Sequence, residues 1–470
     1  SALNQIADDD LPGLHAKEQS YADFVQSQDY QNTKLIYDAW CAAIVWVKDG
    51  DPQRSDPITH GSFSNIQSDP EIVDIELKQE IDQLVDEYRF FHWHLAFPDV
   101  FPMHTDHPSF TKSGFDCILG NPPWDMIESK ENDPDIEINK VMHTQHFISA
   151  SGKYPLTSSN RKNLFAIFVE LALGLVTIEG RCGLVVPTAI VTDSPTESLC
   201  KHLVQNDLLV SLYDFENRGN DSREKFFDSV HPQYKISLVT IAGQSMDTPT
   251  KFGFYLQELQ HIRDEYYIWQ LGFDDILRVS KTRFSVPNFK NKIDALLYVK
   301  IAQTGTILFD HKQTIKSGLF YNFDSASKRV KICYDKLLSF DDYFEVYEGE
   351  YFHAYDHRYA SCSNKVVRAT TSSDKSNPCF QPNTLYWVSR ENVQKKWEEL
   401  TNDFPQWYVA LRRQASTTNE TTSISTILPV SGAEGSVSCF YGQGMNCLIG
   451  GVLSSCLNSY SFNYLIRLRQ

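Results

Sequence analysis

Asn121-Pro122-Pro123-Trp124 follows Asp116 to Leu119, a short apolar run that reads as a buried strand ended by Gly120. In open α/β sheets, ligands bind beyond the carboxyl ends of the strands. The residue types suit one kind of chemistry. An aromatic exocyclic amine such as adenine N6 is a poor nucleophile, because its lone pair is delocalised into the ring. Two acceptors aimed at its hydrogens pull the nitrogen toward tetrahedral geometry and free that lone pair for an electrophilic methyl group. The Asn121 side-chain oxygen is one acceptor. The Pro122 carbonyl is the other, on a backbone whose Pro122 and Pro123 φ angles are fixed. Trp124 offers a flat face for a flipped base. In isolation an Asn-Pro-Pro reads better as a strand-ending turn with its Trp in the core, since the tetrapeptide is short. Its place after DCILG, with the apolar GLVVP one helix later, favours the chemical reading.

The elements that must position this loop follow from periodicity. Lys34 to Val47 reads as a helix, 50–70 as a loop, and 71–90 as an amphipathic helix with apolar residues at 77, 81, 84, 85 and 88. Residues 125–160 read as a charged, turn-rich flap. Asn163 to Ile178 reads as a helix with Leu164, Phe168, Leu171 and Leu175 on one face, and Gly180 to Gly183 as a turn. Leu184 to Pro187 is a second buried strand and Asp193 to Val204 a further helix. Leu208 to Phe215 and Tyr234 to Ala242 supply two more strands. This alternation predicts an α/β fold with an open, mostly parallel sheet covered by helices. After Gly243 come short aromatic and β-branched runs with many Ser, Thr and Asn, which places a boundary near 245–255.

Composition bounds the partners. The chain has 470 residues, is 41% hydrophobic and 13% aromatic, and carries a net charge of −17. That is enough apolar material for real cores and excludes a mainly disordered chain. No apolar run approaches the roughly 20 residues that span a bilayer, so no membrane partner is expected. The first 150 residues hold 27 acidic and 9 basic side chains, and the remainder is close to neutral. A local basic groove is compatible with such a balance. Ten scattered Cys with no CxxC pair read as reduced thiols of a cytosolic protein. His92 and His94, and His353 and His357, are each half of a metal site that nothing completes, so no metal is expected.

FHWHLAFPDVF, GFDCILGNPPWD, NLFAIFVELAL and GRCGLVVPTAIVTD, in that order, resemble the adenine-N6 DNA methyltransferases. The likeness is nearest to the large members of type IIG restriction–modification enzymes and phage-defence systems. LVSLYDFENRG and FFDSVHPQYKISLVTIAG look like that family's last two core strands. VYEGEYFHAYDHRYA, LRRQASTTNETTSISTILP and LNSYSFNYLIRLR look like its target-recognition region, so the resemblance covers about 80–470.

The resemblance implies a partial Rossmann-like methyltransferase sheet followed by a mixed α/β target-recognition domain. It divides the chain into an acidic helical and loop segment at 1–105, a partial catalytic core at 106–248 and a DNA-specificity domain at 249–470. The implied partner is double-stranded DNA and the implied cofactor S-adenosylmethionine. Asn121 and Pro122 would accept from the target amine, within the tetrapeptide that Pro123 stiffens, and Trp124 would stack on the flipped adenine. A second aromatic packing on the base would be Phe227, with Phe226 a close rival and a core role open for either. Arg358, Arg412 and Arg413 would fall in the target-recognition region as DNA contacts.

One expected part is missing. Such sheets bind S-adenosylmethionine at a Gly-x-Gly loop after the first strand, and none precedes Asn121; Gly13, Gly50 and Gly61 are isolated. The cofactor site is therefore expected to be incomplete. The chain would be a fragment with a missing N-terminal region, or it would pair with a partner subunit. No nuclease cluster stands out. Two other functions fit the same residues: a non-catalytic DNA-recognition subunit keeping NPPW as a relic, and a methyltransferase for a protein glutamine or an rRNA guanine.

Overall fold

The computed structural model describes residues 6, 7, 9–46, 55–102, 113–129, 135–159, 161–218, 225–228, 231, 234–280, 283–304, 316–318, 330–332, 342–363, 366–401, 404–413, 421–441 and 445–467. The chain divides into two compact units, Ser1–Ala295 and Leu296–Gln470.

The first unit opens with helices α1 (Leu11–Gln26), α2 (Gln28–Val45), α3 (His60–Ser68), α4 (Ile75–Tyr88) and the short α5 (Trp93–Ala96). The region expected as a loop at 50–70 thus contains α3. Thr59 caps it, exchanging hydrogen bonds with Ser62, and Ile66 is buried. Its few apolar residues hid the period. In α4 the expected spacing holds: Asp74 caps Leu77 N–H, Ile81 faces the core, and Arg89 closes the helix in the left-handed region at φ 54°. Ala39, Ala42 and Trp46 pack with Ile58, Ile66 and Ile81 into one core.

The sheet follows. Its strands are β1 (Phe115–Gly120), β2 (Val176–Pro187), β3 (Leu209–Glu216), β4 (Lys235–Ala242), β5 (Thr250–Leu256) and β6 (Trp269–Leu271), in the order β1-β2-β4-β3-β5-β6. Helices α6 (Asp135–Ala150) and α7 (Leu164–Leu175) lie between β1 and β2. After β2 come α8 (Ala189–Thr192) and α9 (Glu197–Gln205), and α10 (Phe273–Val279) follows β6. β1 and β2 pair in parallel, as do β3 and β5, whereas β4 runs antiparallel to both β2 and β3. The sheet is therefore mixed by pairing, not mostly parallel. By direction, β1, β2, β3 and β5 still agree, because β4 reverses twice between them. Their carboxyl ends share one edge of the sheet.

Several boundaries differ from expectation. The flap at 125–160 contains α6, whose Asn, His, Thr and Gln positions dilute its apolar stripe. In α7 the buried residues are Phe165, Ala166, Ile167, Val169, Glu170 and Ala172, and Phe168 is exposed. This stretch is apolar all round, so periodicity could not choose its face. Gly180 to Gly183 is not a turn. It lies inside β2, where the register with β1 shifts between Phe115 and Cys117. β1 is not buried. It is an edge strand among the described residues, and Leu119 is 80% exposed. β5 and β6 extend the same sheet through the boundary expected at 245–255, because Thr250 to Leu256 pairs on β3.

The second unit is built on β strands. A hairpin pairs β10 (Ala360–Ser363) with β11 (Val366–Ala369). One four-stranded sheet joins β15 (Gly432–Ala433), β9 (Tyr343–Tyr347), β12 (Tyr386–Ser389) and β8 (Val330–Ile332). The other joins β14 (Ser425–Pro429), β13 (Trp407–Arg412), β16 (Val437–Tyr441) and β7 (Lys316–Gly318). Tyr347, Tyr351, Phe352, Trp397 and Tyr408 dominate its core.

Two glycines test this packing. A Cβ on Gly243 would lie 1.9 Å from the Thr177 carbonyl oxygen, whereas one on Gly174 in α7 would meet nothing within 4 Å. Gly243→Ala is expected to destabilise the chain by about 1–3 kcal/mol or more. Gly174→Ala should be neutral or stabilise by up to about 1 kcal/mol. Urea unfolding midpoints of the two variants check the pair.

Candidate active site at the carboxyl edge of the sheet

Asn121 leaves β1 at the carboxyl end, as the sequence predicts. It is exposed, Pro122 beneath it is buried, Pro123 is exposed and Trp124 is half-buried. The loop is tied down on both sides. Trp124 Nε1 donates to the Val185 carbonyl of β2 at 3.3 Å, which fixes the plane of the indole. Leu164 N–H donates to Asp125 O at 3.0 Å, and Ile127 N–H to Lys162 O at 2.9 Å. The loop is thus stitched to the start of α7. Gln145 of α6 donates to Ile127 O at 2.5 Å. Deeper in α7, the buried Glu170 accepts from Leu156 N–H and Thr157 Oγ1 at 2.8 and 2.6 Å. It holds the segment after α6 against the helix.

Phe226 and Phe227 lie in the segment after β3, at the same edge as Asn121. Both rings are partly exposed. They are held differently. The Phe226 ring packs edge-on against Phe215 of β3, with centroids 5.2 Å apart. Phe227 is gripped through its backbone: its N–H donates to Asn217 Oδ1 at 3.0 Å, and Asn217 Nδ2 donates to its carbonyl at 2.9 Å. Asn217 is fully buried. Sequence reasoning missed this clamp. Its signal was an Asn directly after an apolar strand, where amide side chains commonly bond backbone.

A second group was also missed. Thr188, just past β2, donates to Asp214 Oδ1 of β3 and lies 2.8 Å from Ser237 Oγ of β4. Tyr255 N–H donates to Asp214 Oδ2 at 3.1 Å, from a left-handed backbone with φ 59°. The Lys235 ammonium sits 3.6 Å from the centroid of the Tyr255 ring. This cluster ties the ends of β2, β3, β4 and β5 together. Burial pushes the Asp214 carboxyl above its ordinary value, and the Thr188 hydrogen bond and Lys235 only partly offset that.

The three arginines are engaged within the second unit. Arg358 donates to the carbonyls of Asn377 and Lys375 at 3.2 and 3.1 Å. Arg412 donates to Phe352 O, and burial lowers its pKa. Arg413 donates to Gly435 O at 3.1 Å. In each case the guanidinium braces a loop. Of the histidine pairs, His92 bonds the buried Asp38 at 2.8 Å and His353 packs on Tyr359.

Residues 38–220 match the Eco57I restriction-modification methylase family. That segment contains β1, the Asn-Pro-Pro-Trp loop, α7, β2 and β3, and it is less than half of the chain. Restriction–modification methylases are DNA methyltransferases, and their methyl donor is S-adenosylmethionine. None of the curated proteins matches the chain.

Among solved structures, the type IIL restriction-modification enzyme MmeI in complex with DNA is similar at 12% identity and a TM-score of 0.35, over 72% of this chain and 42% of that one. The type IIG restriction endonuclease BpuSI is similar at 13% identity and a TM-score of 0.28, over 92% and 55%. A type I methyltransferase subunit from Streptococcus thermophilus is similar at 10% identity and a TM-score of 0.26, over 52% and 56%. The chain thus spans less than two thirds of each of these proteins. No helix among the described residues is long and apolar enough to cross a membrane.

The buried cluster gives a pH test. Because the folded state raises the Asp214 pKa, it binds that proton more tightly than the unfolded chain does. Stability from this residue is therefore full below the ordinary value of 3.8 and falls as pH rises through the raised one. Relative to the parent, Asp214→Asn should lack this fall. Denaturation midpoints of both proteins, compared from acid to neutral pH, check it.

Proposed function

We propose that this chain supplies the target-base and specificity parts of a DNA adenine-N6 methyltransferase in a restriction–modification or phage-defence enzyme. The observation that carries the reading is the exposed Asn121 at the carboxyl end of β1, set on buried Pro122 beside the anchored Trp124. The Phe227 segment, at the same sheet edge, supports it.

In this mechanism a flipped adenine lies against Trp124. Its N6 hydrogens are donated to Asn121 Oδ1 and to the Pro122 carbonyl. Both acceptors are pre-aligned by a loop that β2 and α7 hold, so little reorganisation is needed as positive charge develops on N6. The nitrogen pyramidalises and its lone pair turns out of the ring plane. Phe227, clamped by Asn217, covers the base from the segment after β3. The second unit, Leu296–Gln470, carries sequence recognition, and Arg358, Arg412 and Arg413 brace the loops that would meet the DNA.

The described residues do not fit a complete S-adenosylmethionine cradle. Ahead of β1 the described residues form helices, with no strand followed by a glycine-rich loop. The outer edge of β1 pairs with no described strand, and Leu119 stands exposed on it. An apolar edge strand of this kind invites a further strand. The rest of the sheet would come from a further segment or a partner subunit, and the chain is assigned the amine-binding half of the reaction only.

In the enzyme that contains this chain, Asn121→Ala should lower methyl transfer at least ~100-fold, the usual cost of losing one transition-state acceptor, and leave DNA affinity nearly intact. Trp124→Ala should weaken capture of the base by about 1–3 kcal/mol. Transfer of labelled methyl to duplex DNA, followed by nucleoside analysis, reads both. Methylation retained in Asn121→Ala, or label on cytosine or on protein, would remove the proposal.

A further inference from the structure

Two lysines at the carboxyl edge of the first unit share one tyrosine ring. β4 runs antiparallel to its neighbours, so its first residue, Lys235, lies at the same edge as Asn121. The Lys235 ammonium stands 3.6 Å from the centroid of the Tyr255 ring, and the Lys290 ammonium 5.5 Å from the same centroid. Lys235 is half-buried and Lys290 is exposed. Among the described residues, neither ammonium has a carboxylate within ion-pair distance. In a chain with 60 acidic and 43 basic side chains, carboxylates are in excess, so two neighbouring cations without one stand out. The carboxylate opposite Lys235 in the register is Glu216, and its Oε2 accepts from Gln257 Nε2 at 3.2 Å.

The backbone is shaped to bring these groups together. Tyr213 pairs with Gly253 and Phe215 with Leu256, so β5 carries one extra residue in that interval. Bulges of this kind re-aim a side chain. Tyr255 lies in it with φ 59°, a left-handed backbone that a bulky residue keeps only under constraint. The constraint is Asp214, whose Oδ2 accepts from the Tyr255 N–H. Lys290 is also presented from a fixed backbone. Phe289 before it is fully buried, and the Phe289 carbonyl accepts from Trp269 Nε1 at 3.2 Å.

Two ammonium groups without a counter-charge make a seat for an anion. Its place selects which anion. Only β2 separates β1 from β4, so Lys235 lies about 10 Å across the sheet from the end of β1. That is the span of a nucleotide from its base edge to its backbone. S-adenosylmethionine is disfavoured here, because its sulfonium and ammonium outweigh its one carboxylate. A phosphodiester carries a full negative charge and has no cation of its own. Such contacts fix the register and orientation of a duplex without reading its sequence.

We propose that Lys235 and Lys290, ordered around the strained Tyr255, hold a backbone phosphate of the DNA strand that carries the flipped adenine. The choice of strand rests on the amine-site reading. The first unit is then a DNA contact in its own right, beside the recognition assigned to the second.

The test is affinity for a short duplex of mixed sequence against salt concentration, in the enzyme that contains this chain. Lys235→Gln and Lys290→Gln should each weaken binding about five- to tenfold near ~0.1 M salt, and each should lower the slope of log affinity against log salt by about one. Lys→Arg at either position should restore both values. Lys251 is exposed on β5 at the opposite edge of the sheet, so Lys251→Gln should change neither. Thermal midpoints of all variants should match the parent. In a duplex containing the methylated site, a neutral methylphosphonate beside the target adenine should weaken the parent but not the double Lys→Gln variant. Parent affinity and slope in both lysine variants would overturn the proposal. So would an equal loss in Lys251→Gln, or a methylphosphonate penalty that the double variant retains at every position flanking the target. Affinity and salt slope are read without methyl transfer, so their failure is separate from a failure of the Asn121→Ala test.

Discussion

Gly120 pairs with Leu184, and Trp124 reaches back from the loop beyond it to the Val185 carbonyl. This parallel seam between β1 and β2 is the constraint on which the candidate site depends. A parallel pairing puts both strand ends on one edge and requires a crossover between them. Here the crossover contains α6 and α7, whose ends are stitched to the loop through Asp125, Ile127 and Gln145. The loop therefore inherits its position from the sheet rather than from its own four residues. Close approach along the seam also explains its glycines: a Cβ on Gly180 would lie 2.8 Å from the Phe115 carbonyl oxygen, and one on Gly183 2.7 Å from a Leu119 methyl.

The remainder of the edge is held by buried polar groups rather than by apolar packing alone. Thr188, Asp214, Ser237 and the Tyr255 amide join four strands at their ends, and Asn217 fixes Phe227 through both of its amide atoms. Such groups are costly unless satisfied, so each one specifies a single arrangement of neighbours. They leave Phe227 supported by backbone, with its ring unclaimed by the Phe215 contact that occupies Phe226.

Much of this was legible in the residues. β1, β3, β4 and α4 fall where apolar runs and periodicity put them, and Asn121 follows its strand. The misreadings share a physical cause, which is that local pattern does not report the partner. β1 looks buried because its residues are apolar, yet among the described residues it lies on an edge. Gly180 and Gly183 look like a turn because glycine ends strands, yet they serve a bulge and a close approach within β2. β5 looks like a new domain because composition changes there, yet its pairing on β3 keeps it in the sheet. The Asp214 cluster and the Asn217 clamp were illegible for the same reason: their partners lie 10 to 49 residues away in sequence.

The central claim is geometric: a flipped adenine presents its amine to Asn121 and Pro122 at the carboxyl end of β1. The most direct measurement is a structure of the enzyme containing this chain, bound to its target duplex. The account predicts N6 within about 3 Å of both Asn121 Oδ1 and the Pro122 carbonyl oxygen, with the base against Trp124. An adenine still stacked in the duplex, or a flipped base bound with its amine turned away from Asn121, would contradict it.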